Sequence, residues 1–338
     1  MHMHSRYMCK IPLLDLDVII KFGMANSNNA PSIFSYDTLV HAVSGAIGST
    51  IAMSTFYPLE TARSRLQIDE NRTAKHTPYV VAEIVREEGL SSLYRGWYPV
   101  ISSLWCSNFV YFYTFNGLKV AVGDVMKSKK AVRDLLIGIA AGVVNVLVTT
   151  PMWVVNTRLK MQGVHFQTKH YRESKHPKYS GIIDAFEKII KQEGIEALWS
   201  GTISSLMLVI NPAIHFASYE ALKRYHSRLF DRKQPSALQF FLIGAFAKTM
   251  ATLCTYPLQV VQSKLRYGKE KETHKGSMIR NIVAVLQHVI ETQGKWGLYK
   301  GLEAKLLQTV LTAALMFLCY EKISKFIFFI LRSNGIKR

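Results

Sequence analysis

The chain has 338 residues, 49% of them hydrophobic, and a formal net charge of +19. Such a basic chain could bind nucleic acid, but its Lys and Arg residues avoid a set of long apolar stretches, which indicates a membrane protein instead. Its four cysteines are scattered, so neither a disulfide framework nor a metal site is predicted. The sequence lacks a P-loop, a serine-hydrolase elbow and a zinc-protease motif, so no catalytic residue or catalytic cofactor is predicted.

The first 35 residues form an N-terminal extension. The stretch IPLLDLDVIIKFGM is apolar in part, but Asp15, Asp17 and Lys21 interrupt it. It therefore suits neither a signal peptide nor a spanning helix. We expect residues 1–35 to lack regular structure and residues 329–338 to form a basic C-terminal tail.

Apolar segments follow in chain order, and most of them are about the length of a spanning helix. Several are interrupted by a polar or charged residue, so their common spacing is a stronger signal than the hydropathy of any one. The sequence predicts six spanning helices, at Leu39–Tyr57, Trp97–Phe115, Leu135–Thr150, Thr202–Ala221, Phe240–Tyr256 and Leu306–Tyr320.

A proline-centred segment recurs three times, as PLETARSRLQ from Pro58, PMWVVNTRLK from Pro151 and PLQVVQSKLR from Pro257. Each copy has a downstream echo, in order EGLSSLYRG, EGIEALWSG and QGKWGLYKG. The copies lie about 100 residues apart, too far for a solenoid unit, which indicates three copies of a small domain. We place these repeats at residues 36–122, 131–229 and 236–328.

Between the two apolar segments of each repeat lies an amphipathic stretch, namely Tyr79–Glu88, Ile182–Glu193 and Ile279–Thr292. Their apolar residues recur at helical spacing, which predicts short helices along the membrane surface. The connectors between repeats are short and basic, so the positive-inside rule places them on the cytosolic side. An even number of spans then places both termini there too.

These motifs resemble the mitochondrial carrier family over about residues 36–328. The resemblance implies an all-α membrane protein with six tilted helices in three pseudo-threefold repeats around a central cavity. It also implies alternating access between two gates and kinks of the odd helices at Pro58, Pro151 and Pro257. Proline removes a backbone hydrogen bond and clashes with the preceding turn, so it bends a helix independently of family knowledge.

In that family the inner gate has an acid two residues after each proline and a base five after it, and the acid of one repeat pairs with the base of the next. Here the implied pairs are Glu60 with Asn156, Trp153 with Gln262, and Gln259 with Arg63. None is an ion pair, so we expect a gate of polar and aromatic contacts. Each hydrogen bond would contribute about 0.5–1.5 kcal/mol.

The resemblance places the cytosolic gate on the even helices. Its residues are Asn116, Lys119, Glu220, Lys223 and Glu321, and Glu321 with Lys119 is the implied full ion pair. Ordinary helix-end charges are the alternative interpretation.

A substrate site is expected near mid-membrane. The candidates are Asn108, Tyr111, Phe112, Asn145, Leu208, Asn211, Lys248, Lys305, Gln308 and Thr309. Amide and aromatic groups suit an adenine or isoalloxazine ring, and lysine suits its phosphates. A lysine inside a span costs about 2.5–3.5 kcal/mol, so it usually faces water or a partner. For Lys248 the alternative is a side chain that snorkels to the surface, and for Lys305 it is a position near a helix end. For Asn145 a helix–helix hydrogen bond is equally compatible.

Trp153 at a gate-acid position resembles the branch of the family that carries folate or FAD, pyrimidine nucleotides and NAD. The segment WYPVISSLWCSNFVYFYTFN and the segments starting at Thr149 and Tyr299 resemble a peroxisomal carrier of coenzyme A, FAD, NAD and adenine nucleotides. The resemblance implies counter-exchange of these cofactors in the peroxisomal membrane. The alternatives are a mitochondrial inner-membrane carrier of nucleotides or folate and a membrane scaffold.

The expected partners are membrane lipid and small nucleotides, without nucleic acid. An import receptor is expected to dock at Lys223–Lys233, where solvated topological charge is the alternative, and the carrier itself is expected to be a monomer.

Overall fold

The computed structural model describes residues 36–70, 72, 76–122, 130–164, 178–229, 237–268 and 278–333. The expected N-terminal extension and residues 334–338 of the basic tail lie outside this part of the chain. Within it, regular structure is helical: α1 (Tyr36–Thr55), α2 (Tyr57–Ile68), α3 (Thr77–Glu88), α4 (Trp97–Val122), α5 (Lys130–Met161), α6 (Ile182–Glu193), α7 (Thr202–Leu208), α8 (Asn211–Leu229), α9 (Ala237–Tyr267), α10 (Met278–Gln293) and α11 (Leu302–Ser333). Short 3-10 helices precede α4, α7 and α11, at Leu90–Tyr94, Ile195–Trp199 and Lys295–Tyr299.

The chain forms two compact units. Pro58–Ile214 and Thr252–Ala304 make one, called the motif unit below because it contains the three proline motifs. The described residues within Met1–Tyr57, His215–Ala251 and Lys305–Arg338 make the second.

The three motif prolines affect their helices differently. The chain leaves helical geometry at Phe56, immediately before the turn that contains Pro58, whereas Pro151 and Pro257 lie inside the continuous helices α5 and α9. Proline has no backbone N–H, so the carbonyl four residues before it loses its helical partner. For Pro151 that carbonyl belongs to Leu147, and the indole Nε1–H of Trp199 donates to it at 3.0 Å.

The predicted segment Thr202–Ala221 is not one continuous helix. Turn residues Val209 and Ile210 separate α7 from α8. Pro212 follows at the second residue of α8, a position where a proline is tolerated because the first turn needs no N–H donors. The proline therefore accounts for the break.

In each repeat the amphipathic helix packs on the helix that carries the proline motif. Val80 and Ile84 of α3 lie against Ala62 and Leu66 of α2. The equivalent contacts are made by Ala185 and Ile189 with Val155, and by Ile282, Val285 and Val289 with Val261. Large apolar side chains on the opposite faces stay exposed, with Tyr79, Ile183 and Ile279 each more than half accessible. This arrangement suits helices that lie along a membrane surface.

The three proline-motif helices meet at their C-terminal ends. Ile68, Met161 and Tyr267, each ten residues after its proline, form one buried apolar cluster. Equivalent residues of three repeats can touch one another only if the helices converge about a shared axis at this depth. The motif unit therefore has pseudo-threefold order at this end, with an apolar contact layer in its middle.

Two stretches of the described residues are long and apolar enough to cross a membrane by length and composition alone, Val132–Met161 and Ile195–Leu229. Of the other predicted spans, Phe240–Tyr256 contains a charged residue, Lys248, which lowers its hydropathy.

Candidate functional site

A polar cavity of about 90 Å³ lies in the motif unit, beside the apolar layer. Its wall is built mainly from equivalent positions of the three repeats. The positions two, five and six residues after each proline all contribute, and the lining residues are Glu60, Arg63, Ser64, Ile68, Val100, Trp153, Asn156, Thr157, Lys160, Met161, Gln259, Gln262, Ser263 and Arg266.

The structure brings together all six residues predicted for the inner gate. Glu60, Arg63, Trp153, Asn156, Gln259 and Gln262 line this one cavity. Their function as a gate stays a prediction, because the structure describes their position and not their movement.

The charged contacts of the cavity centre on Glu60. Its carboxylate accepts a hydrogen bond from Arg63 Nη2 at 2.6 Å and another from Lys160 Nζ at 3.0 Å. Lys160 belongs to the second repeat, so an ion pair joins the first repeat to the second. The predicted pairing set did not include this base.

Trp153 has an equivalent contact with the third repeat. The guanidinium of Arg266 lies over its ring, 5.7 Å from the centroid, within the range of a cation–π interaction. Gln262, the partner implied by the resemblance, donates from Nε2 to Ser205 Oγ at 2.7 Å. Arg266 Nη2 donates to the same oxygen at 3.2 Å.

Gln259 Nε2 donates to Thr255 Oγ1 on its own helix at 3.2 Å. The link from the third repeat back to the first is made by Gln67, whose Nε2 donates to the Tyr256 hydroxyl at 3.1 Å and whose Oε1 accepts from Ser263 at 2.7 Å.

At the first two interfaces the cyclic order of these contacts agrees with the family rule, but the second partner lies one helical turn further along. At the third, Gln67 lies at the same position but contacts Tyr256 and Ser263 and not Gln259. Lys160, Arg266 and Gln67 all lie nine residues after their prolines, which puts them on the same helix face as the expected position five residues after it. Aligning the three motifs would have revealed two bases at this position.

The glycine that ends each motif packs against the helix of the next repeat. Gly96 has φ +77°, and a Cβ there would lie 2.9 Å from Lys160 Cα. The equivalent Gly201 faces Arg266, with 3.4 Å to its Cγ, and Gly301 faces Arg63, with 3.2 Å to its carbonyl oxygen. A positive φ combined with a close backbone approach explains why the motif has glycine here.

The basic residue before two of these glycines caps the next helix. Arg95 Nη1 donates to the carbonyls of Gln162 and Gly163 at 3.1 and 2.8 Å, just beyond the end of α5. Lys300 Nζ donates to the carbonyls of Asp69 and Glu70 at 3.2 and 2.7 Å, just beyond the end of α2. Cations at helix C-termini interact favourably with the helix dipole. In the second repeat this position is Ser200.

Burial lowers the pKa of the Lys300 ammonium to about 8, despite the opposing attraction of Asp69. Burial alone would raise the pKa of Glu70, but Lys264 and His288 beside it hold that pKa below its ordinary value. Lys264 and Glu70 form an ion pair between the third and first repeats.

Two further ion pairs lie within repeats. Arg65 makes a bidentate contact with Glu88, at 2.9 Å to each oxygen, and both side chains are almost fully buried. Arg158 pairs with Glu193 at the equivalent positions. The third repeat has Gln293 where the others have Glu, so Lys264 takes its acid from the first repeat.

The substrate candidates of the motif unit are placed as follows. Asn108 is exposed on α4, and Leu208 is half-buried at the end of α7. Tyr111 contacts Phe112 edge-on at 6.0 Å and stacks on Phe115 at 6.1 Å between centroids.

Two candidate amides of the motif unit join neighbouring helices. Asn145 exchanges hydrogen bonds with Ser107 at 3.0 and 3.1 Å, and Asn211 Nδ2 donates to Thr255 Oγ1 at 2.7 Å. Both contacts stabilise helix packing, and substrate binding by these amides stays a prediction.

The other candidates lie in the second unit. Lys248 and Lys305 are half-buried. Gln308 is buried and its Nε2 lies 3.6 Å from Met53 Sδ. Thr309 donates to the Lys305 carbonyl of its own helix at 2.7 Å. These residues also stay predictions as a substrate site.

The expected cytosolic-gate residues are likewise divided between the two units. In the motif unit Asn116 is exposed, and Lys119 Nζ lies over the Phe115 ring, 6.0 Å from its centroid. In the second unit Lys223 Nζ lies 3.9 Å from a Glu220 oxygen, one turn away on α8. The side chain of Glu321 lies outside the described residues, so its pairing with Lys119 stays a prediction.

The described residues contain no cluster of three or more His, Cys, Asp or Glu side chains suited to a metal ion. Part of the expected receptor-docking stretch, residues 230–233, lies outside them.

The family described as "Mitochondrial carrier protein" matches the chain three times, over residues 34–125, 127–229 and 233–330. The chain belongs to the mitochondrial carrier family. This confirms the resemblance seen in the motifs and the predicted fold class, an all-α multi-pass membrane protein with six spanning helices in three repeats. The family is a family of transporters.

Three proteins of the family are similar to the chain over most of its length. A Mus musculus protein named Peroxisomal membrane protein PMP34 is 56% identical over 87% of this chain and 94% of its own length. An Arabidopsis thaliana Peroxisomal nicotinamide adenine dinucleotide carrier is 30% identical, over 86% of this chain and 96% of its own. A Glycine max Peroxisomal adenine nucleotide carrier 1 is 30% identical, over 85% and 91%.

Proposed function

We propose that the chain transports nucleotide-type cofactors across the peroxisomal membrane. Its substrates would be coenzyme A, FAD, NAD and the adenine nucleotides AMP, ADP and ATP, moved by alternating-access counter-exchange. The observation that supports the proposal is the polar cavity lined by the six expected gate residues, called the gate cavity below. In it, three bases face a single acid at the point where the three repeats meet. A positive cavity on the path favours polyanionic substrates.

The names of the relatives support the same substrate class, since they include NAD and adenine nucleotide carriers. Three of the relatives are named as peroxisomal, which supports that membrane. A mitochondrial inner-membrane carrier of nucleotides or folate is the second candidate. A 28% identical mitochondrial NAD transporter of Saccharomyces cerevisiae favours that membrane. A 30% identical relative of Arabidopsis thaliana, named Folate transporter 1, chloroplastic, favours folate as a substrate and not that membrane.

Transport is tested with the purified chain in liposomes. Vesicles preloaded with ADP, NAD, FAD or coenzyme A should take up labelled ADP, and empty vesicles should not. Uptake into empty vesicles at the same rate would contradict counter-exchange, and no uptake with any internal nucleotide would contradict the substrate class. A fluorescent fusion that co-localises with a mitochondrial inner-membrane marker and not with a peroxisomal one would contradict the membrane assignment.

The two intramembrane lysines offer a test of the path. Lys248→Ala and Lys305→Ala should each slow ADP uptake, because each removes a positive charge where a polyanion is proposed to pass. Lys191→Ala is the matched control, since Lys191 is an exposed lysine on α6. Uptake at the control's rate in both variants would remove these lysines from the substrate site.

A further inference from the structure

The gate cavity has more positive than negative charge. Its charged lining residues are Glu60, Arg63, Lys160 and Arg266. The Glu60 carboxylate serves two of the bases at once, at 2.6 Å from Arg63 Nη2 and 3.0 Å from Lys160 Nζ. One carboxylate can neutralise only one of these two cations, so the cluster of Glu60, Arg63 and Lys160 retains a net positive charge.

Arg266 is the third base. Among the described residues no carboxylate lies within ion-pair distance of it, and its contacts are the Trp153 ring and the Ser205 hydroxyl. Its Nε is buried and donates to no acceptor in the described part of the chain. A buried guanidinium without a counterion is unfavourable, so this position is suited to receive an anion.

Asn156 is a second, independent indication that the cavity binds a ligand. Its side chain is only 4% exposed and lines the cavity, and its Oδ1 has no hydrogen-bond partner among the described residues. A buried amide without a partner costs free energy, so a native site usually provides one. Rotation of the amide by half a turn presents its NH₂ group to an anion in the same place.

We propose that this cavity is a phosphate-binding subsite, occupied by one phosphate group of the transported nucleotide. The proposal rests on the proposed function and names the part of the substrate that the gate recognises. A volume of about 90 Å³ is well above the roughly 10–15 Å³ that one water needs on the same measure, so the cavity has room for a single tetrahedral oxyanion. Arg266 and Lys160 would provide charge-assisted hydrogen bonds to its oxygens.

Binding there would act on the contact between repeats. Lys160 Nζ now bonds to Glu60, and a phosphate oxygen at Lys160 would compete with that carboxylate. The competition would weaken the ion pair that joins the first repeat to the second. A phosphorylated substrate would thus favour opening of the gate, because it binds better where Glu60 and Lys160 are apart.

The experiment uses the full-length protein in detergent and inorganic phosphate as the probe. Phosphate is titrated against chloride at constant ionic strength, and its affinity follows from the rise of the unfolding temperature. Arg266→Gln should weaken phosphate binding about 10- to 100-fold, as for the loss of a hydrogen bond to a charged group. Arg266→Lys should stay close to the wild type, and the surface variant Lys191→Gln should be unchanged.

Glu60→Gln gives a prediction of opposite sign. It removes the competing carboxylate, so phosphate should bind more tightly than to the wild type, which a merely damaged protein would not do. Equal affinity in Arg266→Gln and the wild type, or weaker binding in Glu60→Gln, would overturn the subsite. If liposomes take up no nucleotide while phosphate affinity follows the predicted order, the proposed function fails and the subsite stands. If nucleotides are transported while Arg266→Gln binds phosphate normally, the subsite fails alone.

Discussion

Between the first and second repeats the Glu60 carboxylate contacts Lys160 Nζ at 3.0 Å, and between the second and third the Trp153 ring contacts the Arg266 guanidinium at 5.7 Å. The same two positions are used at both interfaces, two residues after one proline and nine after the next. An indole therefore replaces a carboxylate without loss of the contact, because the ring face also attracts a cation. It leaves the cation's charge unneutralised, however, which makes the second interface the weaker one electrostatically.

A second difference points the same way. The first interface is reinforced by Arg95, which caps the end of α5, while Ser200 stands at the equivalent place of the second. The contact between the third and first repeats has both a basic cap, Lys300, and an ion pair, Lys264 with Glu70. The ring of contacts is thus asymmetric, with its least charge-balanced contact at Arg266. If these residues form a gate, we expect it to open first between the second and third repeats.

The largest expected effect is a loss of stability when alanine replaces the glycine that packs against the next repeat. It should differ between the first and second interfaces, because the backbones approach more closely at the first. Gly96→Ala should destabilise the protein by about 2–5 kcal/mol. The left-handed backbone costs an alanine about 1–2 kcal/mol, and overpacking against Lys160 Cα costs about 1–3 kcal/mol more. Gly201→Ala should lose about 1–2 kcal/mol, since its nearest neighbours, Arg266 Cγ at 3.4 Å and the Gln262 carbonyl oxygen at 3.5 Å, lie at ordinary contact distance and leave the backbone cost alone.

Thermal unfolding in detergent measures both variants. Gly89→Ala is the matched control, because Gly89 has φ +82° and open space around the position of a Cβ. Equal losses in Gly96→Ala and Gly201→Ala would contradict the closer approach of the backbone at the first interface.

The next prediction concerns a substitution that makes the contact between the second and third repeats resemble that between the first and second. Trp153→Asp places a carboxylate opposite Arg266, whose guanidinium is already desolvated, so only the new acid adds a desolvation cost. A charge-assisted hydrogen bond of about 1.5–3 kcal/mol in the closed state should slow ADP exchange by about tenfold or more.

Trp153→Phe is the control for the second interface, because it retains an aromatic face and should exchange ADP near the wild-type rate. Exchange in Trp153→Asp that is as fast as in Trp153→Phe would show that this contact does not restrain the gate.

The sequence placed the six expected gate residues at matched positions, because the three motifs are in register, and their role as a gate stays a prediction. All six expected residues line one cavity. It did not predict their partners, since the family pattern directs attention to the position five residues after the proline. The partners Lys160 and Arg266 lie one turn further, and the rule of helical neighbours could have identified them. The break between α7 and α8 was also missed, although Pro212 signals it.

The pH dependence of stability should separate the two basic caps. The pKa of Lys300 is lowered to about 8 in the fold, against about 10.4 for a free lysine. The unfolded chain therefore binds more protons between these values, and the contribution of Lys300 to the free energy of unfolding rises with pH across that window. The stability difference between the wild type and Lys300→Gln should grow as pH rises from 8 to about 10.

Arg95→Gln is the matched variant at the other cap. A guanidinium stays protonated throughout this range, so its stability loss should be constant with pH. The groups facing Lys300 are Asp69, Glu70, Lys264 and Arg72, and none of them changes in either variant. Parallel pH profiles for the two variants would contradict a lowered pKa at Lys300.

The smallest expected effect concerns the second repeat alone. Trp199 Nε1–H supplies the hydrogen bond that Pro151 cannot give to the Leu147 carbonyl. Trp199→Phe keeps an aromatic ring but removes that donor, so the carbonyl loses its partner and the free energy of unfolding should fall by about 1 kcal/mol. The first and third repeats have Tyr94 and Tyr299 at this position, so Trp199→Tyr tests whether a hydroxyl can take the place of the indole. Trp296→Phe is the control, because the Trp296 side chain is 85% exposed. Thermal unfolding of the wild type and these three variants measures the effect. If Trp199→Phe loses no more stability than Trp296→Phe, the Leu147 carbonyl needs no hydrogen-bond partner.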